Sequence, residues 1–275
     1  MSESLSKTEF HIGVPIAAQE LMWKVFFESR GRGISLARHF PWVNSVDGVY
    51  CISIKDIDGL DKNKIIATLA MRGKIAADGV RYGLIGLVCV DEKFRCNGLS
   101  SLLIEGAIQA GIDLNWNALI LWTQKPEVYQ HHEFVIDGRE LFAHVSNGLA
   151  TALDKEFDSR FAHQDDDLIS SAGLPSFATG VLQIKKENIR ILVLKTKSGY
   201  SIANWEGSNN DVANFLIDVM PKNWGINYLP SDQLIALLEE KGLELQAVTG
   251  ATRMVRKLIN CDSADYGNIR ILNRI

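Results

Sequence analysis

Apolar and polar positions change rhythm several times along this chain. Residues 8–14 alternate and read as a short strand. Residues 15–30 carry Leu21, Val25 and Phe26 at helical spacing, which predicts an amphipathic helix. Gly31 and Gly33 break it, and a short helical stretch reaches His39. Residues 49–55 and 64–75 read as strands joined by a turn region at 56–63, where Asp58-Gly59 is the turn signal. A further strand, 80–90, runs into a helix that extends to about residue 112. In that helix Leu99, Leu102, Leu103, Ala107 and Ala110 mark one buried face, with Ile104 and Ile108 beside it. An apolar strand at 118–122 follows, and Pro126 then suits the first turn of a helix.

Beyond residue 150 the pattern weakens and then resumes. Residues 154–167 are acidic and polar, and 170–175 are small and rich in breakers, so 149–177 reads as a linker. Strands are expected at 189–195 and 200–205. A helix at 211–220 has Val212, Phe215, Leu216 and Val219 on one face. A strand at 224–229 precedes a helix capped by Ser231 and stopped at Gly242. Residues 243–246 and 252–258 look like a closing hairpin. The strand–helix–strand order of the first half thus recurs. The expected organisation is a domain at 1–148, the linker, and a smaller domain at 178–275.

Composition narrows the class. Apolar content of 47% with 23% charged residues is that of an ordinary globular protein. No run of eighteen apolar residues occurs, so no transmembrane helix is expected, and the polar start is unlike a signal peptide. Cys51, Cys89, Cys96 and Cys261 are scattered without a Cys-x-x-Cys pair, which argues against zinc and a disulfide framework. A reducing cytoplasm is the default. A net charge of −4 with no basic stripe disfavours nucleic-acid binding. Trp42, Trp122, Trp205 and Trp224 are read as core or pocket packing.

The chemistry concentrates where the 80–90 strand meets its helix. Val90 is followed by a polar loop and then by Arg95-x-x-Gly98-x-Ser100. A helix starting there points unpaired N–H groups outward, and its dipole favours negative charge. Gly98 and Ser100 leave room for close approach, and Arg95 adds a forked cation. The P-loop and Gly-x-Gly-x-x-Gly patterns are absent. About thirty residues on, Tyr129 precedes Phe134 by five positions after the 118–122 strand. These two motifs, in this order, resemble the acyl-CoA motif and the following tyrosine segment of the GNAT superfamily of N-acetyltransferases. Ser100 stands where the family has Gly or Ala, Glu133 stands where it has Gly, and the family's Asn before the tyrosine is missing.

The resemblance implies an α+β fold, a mixed and mostly antiparallel sheet flanked by helices. The smaller second half would be a degenerate copy, because 206–211 lacks the cradle and carries Glu206 and Asp211 instead. It implies acetyl-CoA as co-substrate. Backbone groups at Val88, Cys89 and Val90 would meet the pantetheine arm. Arg95, Cys96, Asn97, Gly98, Leu99, Ser100 and Ser101 would hold the pyrophosphate. Tyr129 would be the general acid toward the leaving thiolate. Acetyl transfer to a primary amine, most simply on a small molecule, is the expected reaction.

The acceptor pocket would involve residues 28–40, with Glu28, His39 and His132 as candidate acceptor contacts. The base stays open among Glu28, His39, His131, His132, Glu133 and a water chain. Asp91 stands too close to the cradle. His131-His132-Glu133 is not read as a metal site, because neighbours on a helix point apart. His163 with Asp165–Asp167 is read as hydrated linker. A homodimer is left open. The rival reading is a non-catalytic acyl-CoA-binding sensor or interaction module.

Overall fold

The computed structural model describes residues 8–31, 33–56, 64–76, 78–148, 156–163, 173–259, 266 and 269–275. The turn expected at Asp58-Gly59, most of the 149–177 linker, Asp165–Asp167 and Cys261 lie outside these residues. The chain divides into two compact units. The first comprises Met1–Gly138, Thr252–Ile269 and Arg274–Ile275; the second comprises Arg139–Ala251 and Arg270–Asn273.

In the first unit β1 (Thr8–Ile12), β2 (Val49–Lys55), β3 (Ile65–Ile75) and β4 (Arg81–Val90) form an antiparallel run. Between β1 and β2 lie α1 (Ile16–Phe26) and the short α2 (Leu36–His39). The predicted helix at 15–30 stops at Phe26. A 3-10 turn, Glu28–Arg30, completes it, and Gly31 ends that turn at φ 57°. After β4 comes α3 (Leu99–Asp113), and then β5 (Ala118–Thr123) returns parallel to β4. The short α4 (Glu127–Gln130) follows, and Pro126 occupies its N-cap position.

The sheet buries two faces. On one, Leu103, Ile104 and Ala107 of α3 pack on Ile52, Leu69, Ile85 and Leu119. Ile104 is 1% exposed and thus central to this face. On the other, Ala18, Leu21 and Met22 of α1 pack on Cys51, Ala70, Leu87 and Cys89. Met22 is fully buried there, while Val25 and Phe26 are partly buried.

The second unit contains part of β6 (Val135–Ser146), β7 (Ala162–His163), β8 (Ala178–Lys186), β9 (Ile189–Thr196) and β10 (Gly199–Glu206). It continues with α5 (Asn209–Val219), β11 (Asn223–Tyr228), α6 (Gln233–Glu240) and the start of β12 (Glu244–Lys257). β8, β9 and β10 are antiparallel, and β11 runs parallel to β10 after α5. This repeats the order of β2 to β5 around α3. Ser208 caps α5 by accepting from the Asp211 N–H at 3.2 Å. Val212, Phe215, Leu216 and Val219 are buried as the spacing predicts.

Three expectations change. Ser231 is not the cap of α6. Asp232 takes the N-cap position, and its carboxylate accepts from the Leu229 N–H at 2.7 Å. The hairpin expected at 243–258 is one continuous strand, β12. Gly250 is not among the glycines with positive φ, so it does not supply the backbone that a tight hairpin turn requires. Finally, composition sets boundaries at 148 and 178, whereas the units divide at Gly138 and Ala251. The reason is strand exchange. Thr252–Lys257 pairs antiparallel with β5 in the first unit, and Leu141–Ser146 pairs antiparallel with β11 in the second. Each unit therefore takes a strand from the other half of the chain.

Candidate active site

The site is built where β4 leaves its neighbours. Thr68 stands opposite Cys89 and Ala70 opposite Gly86, so β4 carries a bulge at Leu87 and Val88. Leu87 has φ 52°, which few non-glycine residues adopt. The parallel pairing of β4 with β5 covers only Tyr82–Leu84 against Ala118–Ile120. Beyond Leu84 the two strands diverge, and β4 keeps only β3 as a partner among the described residues. Among the described residues no strand pairs with the β5 side of residues 85–89, whose backbone groups are left for another partner. Val88 and Val90 pack toward the α3 side, and Cys89 is buried on the α1 side. Gly86 lies against Ile275. A Cβ at Gly86 would come within 2.3 Å of that side chain, so any larger residue displaces it.

Asp91 fixes the exit of β4. Its carboxylate accepts from the Lys93 N–H at 3.2 Å and meets the Lys24 ammonium of α1 at 3.4 Å. Burial works to raise its pKa, but the Lys93 N–H and the Lys24 charge outweigh burial and hold the carboxyl below its ordinary value. Asp91 is therefore an ionised structural anchor and a weak base. Because its pKa is lowered on folding, its contribution is present above the ordinary carboxyl range and is lost as pH falls through the folded value. Asp91→Asn is expected to lower stability at pH 7 by about 1.5–3 kcal/mol, the range for a hydrogen bond to a charged group. Urea unfolding at pH 7 and again toward pH 2 checks this, since the gap to wild type should close in acid.

The cradle itself is open. Arg95 to Ser101 are exposed except for buried Leu99 and half-buried Ser100. Gly98 sits at the N-cap of α3 with φ 74° and offers no side chain to cap it. Its carbonyl accepts from Ser101 and Leu102 at 3.0 and 3.3 Å. Among the described residues nothing accepts from the N–H groups of Leu99 and Ser100. A Cβ at Gly98 would meet nothing within 4 Å. Cys96 also has positive φ, 65°. The Arg95 side chain reaches back to the Val90 carbonyl at 3.4 Å, and the Asn97 amide donates to the Phe94 carbonyl at 3.2 Å. These residues fit a pyrophosphate, since they combine free amides, a helix N-terminus and unoccupied space.

Tyr129 stands on α4, half-buried, and packs on the α3-side core. Its ring meets Phe134 edge-on, with centroids 6.1 Å apart. Burial raises the pKa of its phenol. Glu133 takes the left-handed conformation itself, with φ 62°, where the resembling family uses glycine. The Arg256 guanidinium of β12 donates to the His132 carbonyl and meets the Glu133 carboxylate at 3.1 Å.

The three candidate acceptor contacts fare differently. Glu28 is exposed on the turn after α1, and His132 is half-buried beside Tyr129 in sequence. His39 is fully buried. Its Nε2 accepts from the Ile34 N–H at 3.0 Å, and its ring stacks on Phe27 at 4.6 Å. That side chain holds the turn at residues 33–34 and does not present itself to an acceptor. Among the described residues no group of three or more His, Cys, Asp or Glu could hold a metal ion. No helix among them is long and apolar enough to cross a membrane.

Sequence reasoning missed Lys24, Gly86 and Arg256. Each acts on a distant part of the chain, and nothing local marks it.

The fold is similar to that of solved GCN5-related N-acetyltransferases. A solved GCN5-related N-acetyltransferase from Kribbella flavida is 15% identical over 92% of this chain and 72% of its own, with a TM-score of 0.59. One from Anabaena variabilis ATCC 29413 is 13% identical over 92% and 73%, with a TM-score of 0.60. Eis1 from Mycobacterium abscessus is 9% identical over 92% and 74%, also with a TM-score of 0.60. No protein-family model matches the sequence, and no curated protein matches it.

Proposed function

We propose that the first unit is an acetyl-CoA-dependent N-acetyltransferase acting by direct attack of a primary amine, most simply on a small molecule. The observation that carries this reading is the continuity of the diverging β4 with the open, uncapped start of α3. Backbone groups at Val88 to Val90 would align the pantetheine arm, and Arg95 to Ser101 would hold the pyrophosphate. Acetyl-CoA supplies an already activated thioester, so the chain has only to align the amine and move protons. Tyr129, kept protonated by its raised pKa, would donate to the leaving thiolate.

The second unit supports a role without acetyl-CoA. β10 pairs with β11 only at Ser201–Gly225 and Ile202–Ile226, and so it too diverges. There Arg270 stacks on Trp205 at 4.0 Å and pairs with Asp232 at 3.1 Å, joining the ends of the two strands. With Ser208 capping α5 and its hydroxyl donating to the Asp211 carboxylate, that unit has a closed counterpart of the cradle.

Titration calorimetry with acetyl-CoA, followed by a thiol-release screen over amino sugars, amino acids and polyamines, tests the proposal. One-site binding with amine-dependent thiol release is expected. Binding without release from any amine would favour a non-catalytic acyl-CoA sensor, and no binding would overturn both readings. Thiol labelling adds an independent check. Burial pushes the Cys51 thiol up to about 11 and the Cys89 thiol up to about 12, while Cys96 is exposed. In a Cys261→Ser background, maleimide at neutral pH is expected to modify Cys96 first. Saturating acetyl-CoA should slow that labelling tenfold or more, read by mass spectrometry. Unchanged labelling would remove Cys96 from the cradle.

A further inference from the structure

We propose that Arg256 is a positioning residue for Tyr129, clamping from the last strand of the chain the turn that ends the tyrosine's helix. The inference rests on the general-acid reading of Tyr129. α4 has only four residues, far too few to persist by its own hydrogen bonds, and no side chain caps its N-terminus. The turn at its C-terminal end must therefore hold it in place. His132 and Glu133 donate to the carbonyls of Tyr129 and Gln130, both at 3.0 Å, and Phe134 donates to Tyr129 at 3.4 Å. This closure requires Glu133 to stay at φ 62°, a conformation an L-residue other than glycine adopts at a cost.

Arg256 opposes that cost. One terminal nitrogen of its guanidinium donates to the His132 carbonyl, and the other meets the Glu133 carboxylate at 3.1 Å. Glu133 is 80% exposed, so its ion pair is screened. The carbonyl contact is made from the arginine side, only 20% exposed, and is the firmer of the two. The arginine is set on a rigid base, since it pairs in register with Leu119 of β5. Met254, two residues earlier and hence on the same face of β12, packs in the core that also takes Tyr129 and Phe134. Among the described residues nothing accepts from the buried Arg256 Nε. A buried donor left unpaired is unfavourable, so general packing does not account for an arginine here, and the two contacts to the turn do.

Thiol-release kinetics on the full chain, with the amine that turns over fastest, test the clamp in Arg256→Met, Arg256→Lys, Glu133→Gly, Arg256→Met/Glu133→Gly, Tyr129→Phe and Arg256→Met/Tyr129→Phe. Arg256→Met is expected to lower kcat by 10- to 100-fold, with KM for acetyl-CoA within about twofold of wild type. Lysine should recover only part of the loss, because it keeps the charge without the fork. Glu133→Gly in the Arg256→Met background should recover about tenfold, because glycine holds the left-handed turn unaided. Adding Arg256→Met to Tyr129→Phe should cost little more, since both act on one step.

Hydrogen exchange over residues 127–134 reads the clamp without turnover. Those amides should exchange at least tenfold faster in Arg256→Met and slow again with Glu133→Gly. Wild-type kcat and unchanged exchange in Arg256→Met would overturn the clamp, as would fully multiplicative losses in the Tyr129→Phe pair. Wild-type kcat in Tyr129→Phe would overturn the general-acid reading instead. If Arg256→Met alone fails to fold, the lysine and glycine-containing variants carry the same comparison.

Discussion

Replacing Gly98 by glutamate is expected to raise the dissociation constant for acetyl-CoA by about 10⁴-fold while the fold survives. Two effects add. Gly98 sits at φ 74°, so any L-residue there is strained by about 1–2 kcal/mol. The new carboxylate would also stand at the mouth of the helix where the free N–H groups of Leu99 and Ser100 point. Two unit charges about 4 Å apart at an effective permittivity of about 20 repel by about 4 kcal/mol, roughly three decades in affinity. Gly98→Ala separates the terms. Its Cβ would meet nothing within 4 Å, so only the conformational cost applies and a loss of about tenfold is expected. Calorimetry on both variants, with circular dichroism to confirm folding, checks the prediction. Equal affinity in wild type and Gly98→Glu would move the pyrophosphate elsewhere.

The second large effect is on turnover. Tyr129→Phe is expected to lower kcat by about 10²- to 10³-fold, the scale of a positioned general acid, with KM for acetyl-CoA within about twofold. The phenol is half-buried against the core, and its ring contact with Phe134 survives loss of the hydroxyl, so the substitution removes a proton donor and little packing. Burial raises its pKa above the ordinary value near 10, which favours the protonated acid at neutral pH. Wild-type kcat should therefore stay flat through neutrality and fall only as pH rises through the raised value. The phenylalanine variant should lack that alkaline limb. The same shift makes the protonated phenol a small stabilising contribution, complete below the unfolded pKa and lost as pH rises through the folded one. A variant with undiminished kcat would leave Tyr129 as packing along the acyl-CoA arm.

Much of the site is legible in the sequence because its determinants are local. Val90, Arg95, Gly98 and Ser100 span eleven residues, and a glycine at a strand-to-helix junction implies both the left-handed cap and the uncapped amides. Helix faces are legible for the same reason, since the spacing of Leu99, Leu103 and Ala107 or of Val212, Leu216 and Val219 is set by 3.6 residues per turn. His39 shows the limit. A histidine at the end of a short helix looks available, yet folding places it under Phe27 and Gly33, where its ring nitrogen serves the Ile34 N–H.

The sequence by itself determined most strands and helices, β6 and β8 excepted, the glycine turn that opens α3, and the return of a similar order of elements in the second half. Only the tertiary structure decided which strands pair. Alternation marks a strand and its buried face, but it is silent on the neighbour. Hence the apparent hairpin at 243–258 becomes one strand whose end pairs with β5. The same pairing brings Arg256 to the turn after Tyr129. Glu133 can then stand where a glycine would otherwise be needed, because its partner lies far along the chain and is supplied only by folding.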